Sequence, residues 1–392
     1  MTPTQALSSP VRMGLVGVGW MGHLHTRALR RLRDHYPDLP EPQFVIAADS
    51  LAGQEAEARS RLGYEQFSTD WREVVSHPDV TAISVTAPNQ MHAEVCIAAA
   101  RAGKHIWGEK PLGRDAHETA AIAAAARKHD VRTIVGFNYR HVPLVQHARS
   151  LIEAGELGRL TRVRGTFLAD YAADAAGAFS WRFERAKAGS GVLGDLMCHV
   201  VDLLEHLAGP VHSLVAQDSI THTHRPLPTA GAGTGASHFA AGGGDLVPVE
   251  NEDHVNCLAR FDNGATGSLE VGRALVGPHV SMGFEIHGTA GALAWNFERM
   301  NELRFYTRHP SGGDGFSTVF AAAAHGDFSR FQPGTGIPMG YDDLKVIEAS
   351  RLVGSIVDGH PYGPTFDDAE RATAVVAGME ASMRSGAWEH VL

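Results

Sequence analysis

The ten residues Met13 to Gly22 constrain this chain more than any other stretch. A short apolar run, Met13 to Val18, leads into three glycines spaced G-x-G-x-x-G at Gly17, Gly19 and Gly22, and His23 to Arg33 carries helical spacing directly behind them. Glycine at the first position permits a tight turn. At the second it lets main chain approach a ligand, and at the third it lets helix and strand pack closely. The helix N-terminus then offers unpaired N–H groups and the positive end of its dipole to an anion. The string alone is weak, and a glycine turn with no ligand competes with it. After a strand, opening a helix and starting a βαβ unit, it specifies a dinucleotide site.

The next 120 residues repeat that alternation. Apolar runs at Phe44 to Ala48, Ala82 to Val85, His105 to Trp107 and Thr133 to Phe137 are separated by helical stretches at Leu51 to Leu62, His92 to Ala102 and Ala116 to His129. Strands without in/out polarity belong to a parallel sheet covered on both faces. The expected fold class is therefore α/β, an N-terminal doubly wound Rossmann sheet over residues 1–140. From 141 to 392 the pattern becomes α+β. A helix at Gly194 to Leu207 precedes strand candidates at His254 to Phe261, Ala265 to Val271, Val280 to His287 and Leu303 to Thr307. Asp262-Asn263-Gly264 between two of them is a hairpin signal, so a large, mostly antiparallel open sheet is expected. Two late helices, Tyr341 to Val357 and Asp367 to Met383, close the chain, and their packing back onto the first domain stays open. The Gly-, Ala-, Pro- and His-rich stretch Ser219 to Asp253 is long for a loop and reads as a mobile lid or an interface arm.

Composition narrows the partners. Against 44 acidic residues stand 34 basic ones, a formal charge of -10, which repels phosphate backbones and argues against nucleic acid. No apolar run approaches the ~18 residues of a membrane span, and no leader pattern opens the sequence. Cys96, Cys198 and Cys257 sit in apolar runs and read as buried thiols of a reducing compartment, so a cytoplasmic location is expected. Only five residues are lysine: Lys104, Lys110, Lys128, Lys187 and Lys345.

Chemistry concentrates at a few points. Asp49 ends the second strand, where a carboxylate accepts hydrogen bonds from ribose hydroxyls and repels a 2′-phosphate, favouring NAD over NADP; a helix cap is the competing reading. Thr86-Ala87-Pro88-Asn89-Gln90-Met91-His92 and Glu109-Lys110-Pro111 sit at carboxyl ends of strands, where open α/β sheets bind ligands. Lys110 draws notice as a scarce residue type in such a place, against the alternative of a solvated loop lysine. In the second half, Asp195, His199, Asp202 and His206 form a polar stripe beside the apolar stripe Leu196, Val200, Leu203, Leu204 and Leu207. Three readings fit the polar stripe: a solvated helix face, a metal site, or the proton-handling group of a dehydrogenase. Periodicity does not separate the last two, although a nearby lysine disfavours a metal cation by repulsion. His222 and His224 carry a metal reading too, against that of a surface loop.

Taken in order, Gly17-x-Gly19-x-x-Gly22, Asp49, Pro88-Asn89-x-x-His92, Glu109-Lys110-Pro111, Asn138-Tyr139-Arg140 and Asp195-x-x-x-His199 resemble the glucose–fructose oxidoreductase/inositol dehydrogenase/rhizopine-catabolism (Gfo/Idh/MocA) family of NAD(P)-dependent oxidoreductases. The resemblance covers nearly the whole chain. Ser180-Trp181-Arg182-Phe183 and Gly288-Thr289-Ala290-Gly291-Ala292 look most like its sugar and cyclitol dehydrogenases. It implies a catalytic set of Lys110, Asp195 and His199, and no metal. It implies NAD contacts from Gly17, Gly19, Trp20, Met21, Asp49, Thr86, Pro88, Asn89, His92, Glu109, Lys110, Asn138, Trp181 and Arg182, and substrate contacts from Lys110, Tyr139, Arg140, Asp195 and His199. The implied reaction is oxidation of a secondary ring hydroxyl, at C3 of a pyranose or glycoside or on a cyclitol. Redox-neutral NAD-dependent glycoside cleavage and a non-catalytic NAD-responsive binding protein are the alternatives. A homodimer or homotetramer is the implied assembly, with no membrane partner. Two features depart from the family pattern: Met197 stands where a small residue is usual, and Ser219 to Asp253 has no counterpart.

Overall fold

A computed structural model describes residues 10–229, 242–307 and 314–391 of the chain. It divides into two compact units. The first takes the residues through Gly113, His117–Asn138 and Gly340–Asp367; the second takes Arg114–Ala116, Tyr139–Met339 and the residues from Asp368 on.

In the first unit, β1 (Arg12–Val16), β2 (Gln43–Ala48), β3 (Gln66–Ser68), β4 (Ala82–Val85), β5 (His105–Gly108) and β6 (Thr133–Val135) pair in parallel in the order β3-β2-β1-β4-β5-β6. Every residue of β4 is buried, as a strand covered on both faces must be. The order reverses between β1 and β4, so the ligand crevice of such a sheet opens beside Gly17 and Thr86 at their carboxyl ends. Leu51 to Leu62 is less regular than its spacing predicts: a 3₁₀ turn at Ala52–Gln54 is followed by a π turn at Glu57–Arg61. The helix Tyr341–Asp358 belongs to this unit. It is capped at its start by Asp343 Oδ2, which accepts from Gly340 N at 2.9 Å, and ended by Gly359 at φ 72°.

The second unit holds, among the described residues, a nine-stranded sheet. Its strands are β7 (Leu160–Ala169), β8 (Val211–Ser219), β11 (His254–Phe261), β12 (Thr266–Gly272), β13 (Val280–Gly288), β14 (Gly291–Asn296), β15 (Glu302–Thr307), β16 (Gly315–Phe320) and β17 (Glu389–His390), ordered β16-β15-β14-β13-β7-β12-β11-β8-β17. Only β7 and β12 run parallel. The Asp262-Asn263-Gly264 turn joins β11 to β12, with Gly264 at φ 84° and its N–H on Phe261 O at 2.9 Å. Helix Cys198–Ala208 lies on β7, and its stripe Val200, Leu203, Leu204 and Leu207 is buried. Gly165 permits that contact, since a Cβ there would stand 2.6 Å from Val200 Cγ1 and 2.7 Å from Leu204 Cδ1.

The stretch Ser219 to Asp253 is less free than its composition implies. Its β9 (His224–Pro228) and β10 (Gly242–Pro248) form an antiparallel ribbon, and residues 230–241 lie outside the described residues. Arg225 of β9 is 1% exposed, donates to Asp174 O at 2.8 Å and to Ala172 O, and stacks on the Phe183 ring at 4.6 Å. The three cysteines are free and buried, and burial pushes Cys96 and Cys257 up to about 12, which makes them inert thiols. Among the described residues no helix is long and apolar enough to cross a membrane.

Gly165→Ala forces Val200 and Leu204 outward, an overpacking that costs about 1–3 kcal/mol. Thermal denaturation checks this; a melting temperature equal to wild type would mean that the helix rides free of β7.

Candidate functional site

The glycine loop of the first unit is built as a cradle. Gly17 holds φ 100°, and a Cβ on it would stand 2.8 Å from Ala87 N and Thr86 O. A Cβ on Gly22 would stand 2.2 Å from Gly17 O. Thr86 Oγ1 donates to that same Gly17 carbonyl at 2.7 Å, locking the loop to the end of β4. Gly19 differs: a Cβ on it would meet nothing within 4 Å, and no side chain caps the helix Trp20–Arg30 behind it. The helix N-terminus therefore faces open space across bare main chain, which fits a pyrophosphate. Trp20 is 66% exposed beside this opening and stacks on Tyr341 at 6.0 Å and 14°; Met21 is half-buried.

Asp49 is tied to main chain on both sides. Its Oδ1 accepts from Leu51 N at 3.0 Å, and its Oδ2 accepts from Val18 N at 2.9 Å, which ties β2 to the glycine loop. A carboxylate has about four lone-pair sites, so acceptor capacity remains for ribose hydroxyls. Pro88 caps the helix Asn89–Arg101. His92 within it is buried, with Nδ1 at 2.9 Å from Pro111 O and Nε2 at 2.8 Å from Ala87 O. The ring thus laces together the loops that follow β4 and β5. Asn138 is 1% exposed, and its Nδ2 has no protein hydrogen-bond partner, a buried donor of the kind a ligand satisfies.

Glu109, 6% exposed, takes no place on an open wall. Its Oε1 accepts from Lys345 Nζ at 2.6 Å and lies 3.0 Å from His25 Nε2, while its Oε2 accepts from Lys110 N at 3.2 Å. Burial pushes the Glu109 carboxyl up, but the Lys345 ammonium and His25 more than offset it and leave it below the usual carboxylate range. Burial lowers His25 to about 4, so its neutral ring donates from Nε2 to Glu109 and accepts from Ser84 Oγ at Nδ1, 2.7 Å away. His25, Glu109 and Glu348 are the one group of metal-ligand types within reach of each other among the described residues. Lys345 Nζ, 2.6 Å from Glu109 and 3.0 Å from Glu348, already supplies the cation there. Lys110 itself is half-buried and precedes a cis bond to Pro111.

In the second unit the polar stripe is not a solvated face, and that reading is corrected. His199 is 5% and Asp202 2% exposed, with Asp195 and His206 half-buried. A π turn at Leu193–Met197 places Asp195 just ahead of the α-helix that carries His199. Glu252 caps this start, its Oε1 accepting from Gly191 N at 2.8 Å and Leu193 N at 3.0 Å. Beside it, Asn251 Nδ2 donates to Arg182 O at 2.9 Å, and Arg273 pairs with Asp253 at 2.7 Å with both groups buried. Tyr171 Oη donates to Asp195 Oδ2 at 2.5 Å; burial and the Asp195 charge hold the phenol well above its ordinary pKa, so it stays a donor. Tyr139 meets the His199 ring edge-on at 4.9 Å and 81°, and Phe297 at 5.0 Å. Met197 is wholly buried.

The rest of the sequence-derived set is placed as follows. Arg140 is bidentate on Asp202, at 2.8 and 2.5 Å, and reaches Asp368 at 3.1 Å. The Arg182 guanidinium stacks on Trp181 at 4.5 Å, both half-buried. His206 sits 2.7 Å from Arg149 Nη1, and burial with the nearby Arg140 and Arg149 charges lowers it to about 3. His222 Nε2 lies 2.9 Å from Ala173 O, and His224 is exposed at the start of β9. Tyr171, Glu252 and Lys345 escaped the sequence reading. Only Tyr171 had any local signal, an aromatic directly after Asp170, the acid that follows β7.

The chain is similar to known proteins along nearly its whole length. Residues 11–137 match the oxidoreductase family with an NAD-binding Rossmann fold, and residues 145–294 match the GFO/IDH/MocA C-terminal domain. The chain is 36% identical to levoglucosan dehydrogenase of Pseudarthrobacter phenanthrenivorans over 97% of its own length and 98% of that protein's. It is 28% identical to scyllo-inositol 2-dehydrogenase (NAD(+)) of Bacillus subtilis over 72% of its length and 73% of that protein's. A solved structure of levoglucosan dehydrogenase with NADH and levoglucosan superposes at a TM-score of 0.91 and 34% identity, over 98% of this chain and all of that one.

The Arg140 geometry makes a distinction possible. Arg140→Met leaves Asp202 buried without its cation, a change that costs about 3–5 kcal/mol and lowers the melting temperature. An unchanged melting temperature with weakened ligand binding would assign the guanidinium to a ligand instead.

Proposed function

The chain belongs to the Gfo/Idh/MocA family of NAD-binding oxidoreductases, and on that premise we propose that it oxidises a secondary ring hydroxyl of a sugar or cyclitol, at C3 of a levoglucosan-like pyranoside. One observation carries this reading: a buried histidine, His199, lies one turn after a carboxylate, Asp195, that is held by a tyrosine hydroxyl. NAD, when bound, supplies the acceptor for hydride from the alcohol carbon.

The chain's own residues handle the proton and the charge. Neutral His199 takes the hydroxyl proton as general base, and Tyr139 against its ring limits the ring's rotation. Lys110 donates to the reacting oxygen and stabilises the developing alkoxide. Asp195, oriented by Tyr171, positions the alcohol or the base. The bare main chain at Gly19 and the acceptor at Asp49 suit an unphosphorylated adenosine ribose, so NAD is preferred over NADP. Arg140 is assigned to positioning, because its fork is engaged by two carboxylates.

The test is a panel of sugars, cyclitols and glycosides, levoglucosan included, scored for NADH at 340 nm. Lys110→Ala and His199→Ala should each lower kcat/KM by ~10²–10⁴. Tyr171→Phe, which removes one hydrogen bond to a charged group, should lower it by about 10- to 100-fold. Product without stoichiometric NADH would favour the redox-neutral route, and full turnover in His199→Ala would sink the proposal.

We also propose that a second copy covers the open face of the large sheet, where Leu258 is 52% exposed among Arg164 and Glu285, themselves 50% and 48% exposed. Light scattering at micromolar concentration should give a dimer or tetramer; a monomer refutes it.

A further inference from the structure

Lysines are rarely buried unless paired, yet Lys345 is 1% exposed and reaches a carboxylate 236 residues earlier in the chain. Its ammonium donates to Glu109 Oε1 at 2.6 Å and to Glu348 Oε1 at 3.0 Å, and Trp107 Nε1 fixes Glu348 at 2.5 Å. His25 shares Glu109 Oε1 and is itself held by Ser84 and by stacking on Trp107 at 3.6 Å and 12°. One oxygen of Glu109 is thereby occupied, and the other, Oε2, is left for the main-chain N–H of Lys110. Gly136 backs the whole carboxylate, since a Cβ there would stand 2.6 Å from Oε2, 2.7 Å from Oε1 and 2.8 Å from Cδ. The carboxylate has one place to sit, and Lys345 holds it there.

We propose that Lys345 is a positioning residue for Lys110, acting through the Glu109 carboxylate. The inference rests on the reading of Lys110 as catalytic. Glu109, buried as it is, stays ionised only beside a cation, since an uncompensated buried charge is expelled or neutralised. An ionised Glu109 accepts the Lys110 N–H and fixes the main chain from which the Lys110 side chain departs. Removing the ammonium releases that anchor, and a displacement on the order of 1 Å in such a group costs about 100-fold in rate. The helix Tyr341–Asp358 thus contributes to the site from within the first unit, without touching a ligand itself.

The experiment uses the full chain and four variants: Lys345→Met, Glu109→Gln, their double, and Lys110→Ala. Turnover is read with levoglucosan, or with whichever panel sugar turns over fastest. Amide hydrogen exchange at Lys110 and NADH binding by fluorescence are read alongside. Lys345→Met should lose about 10- to 100-fold in kcat with KM nearly unchanged, and Lys110 amide exchange should quicken at least about tenfold while β4 amides keep their protection. Lys345 acting only through Glu109 predicts that Glu109→Gln and the double variant share one kcat, Glu348 losing its cation equally in Lys345→Met and in the double. Wild-type kcat and wild-type Lys110 exchange in Lys345→Met overturn the proposal. Should Lys345→Met fail to fold, a further tenfold loss in the double beyond Glu109→Gln overturns it, and equal values support it. Full activity in Lys110→Ala would instead defeat the catalytic reading; the exchange data then still decide whether Lys345 orders Lys110.

Discussion

A carboxylate taken out of water must be met by a cation or by several donors, and this chain places its chemistry by meeting that demand at three points. Glu109 is met by Lys345, Asp202 by Arg140 and Asp253 by Arg273. Each pair adjoins a residue of the proposed site. Glu109 precedes Lys110, Arg140 follows Tyr139, and the Asp253 pair steadies Asn251 and Glu252, which hold Arg182 and the start of the His199 helix. Buried pairs add little net stability over apolar packing of the same volume. They do fix geometry, because a guanidinium fork or an ammonium between two carboxylates tolerates few alternatives.

The glycine cradle obeys a different constraint, that of excluded volume. Gly17 and Gly22 are needed because protein atoms already occupy the place of a Cβ, whereas Gly19 leaves that space vacant. Their spacing is local, a consequence of one turn feeding one helix, so it was readable in the sequence. The same holds for the Asp195 and His199 spacing and for β1 and β4, whose lack of in/out alternation follows from burial on both faces. The Asp262-Asn263-Gly264 hairpin was readable for the same reason.

What stayed hidden depends on distance along the chain. Lys345 lies 236 residues from Glu109, Asp368 lies 228 from Arg140, and Glu252 lies 61 from Gly191. Partners that far apart leave no periodic trace. Strand β7 was missed although Arg162 and Arg164 alternate with Val163 and Gly165, the period-2 pattern of a strand with one open face. The stretch Ser219 to Asp253 misled through composition. Its small residues suggested freedom, yet Arg225 is among the most buried side chains of the second unit, and Asn251 to Asp253 form an anchor.

The segment Gly340–Asp367 shows that sequence continuity and structural unity diverge here. Val135 N bonds to Pro364 O at 2.9 Å, extending β6, and the Phe366 ring packs where a Cβ on Gly108 would stand, 3.1 Å away. With Lys345 and Glu348 it completes the core on which β5 ends. A fragment stopping at Asn138 would keep the whole glycine fingerprint and every parallel strand of the first unit. It would also strand Glu109 without its cation and leave the end of β6 uncovered. The dinucleotide motif therefore does not delimit the first unit: the unit that carries this motif near its start is held together by residues from Gly340 to Asp367.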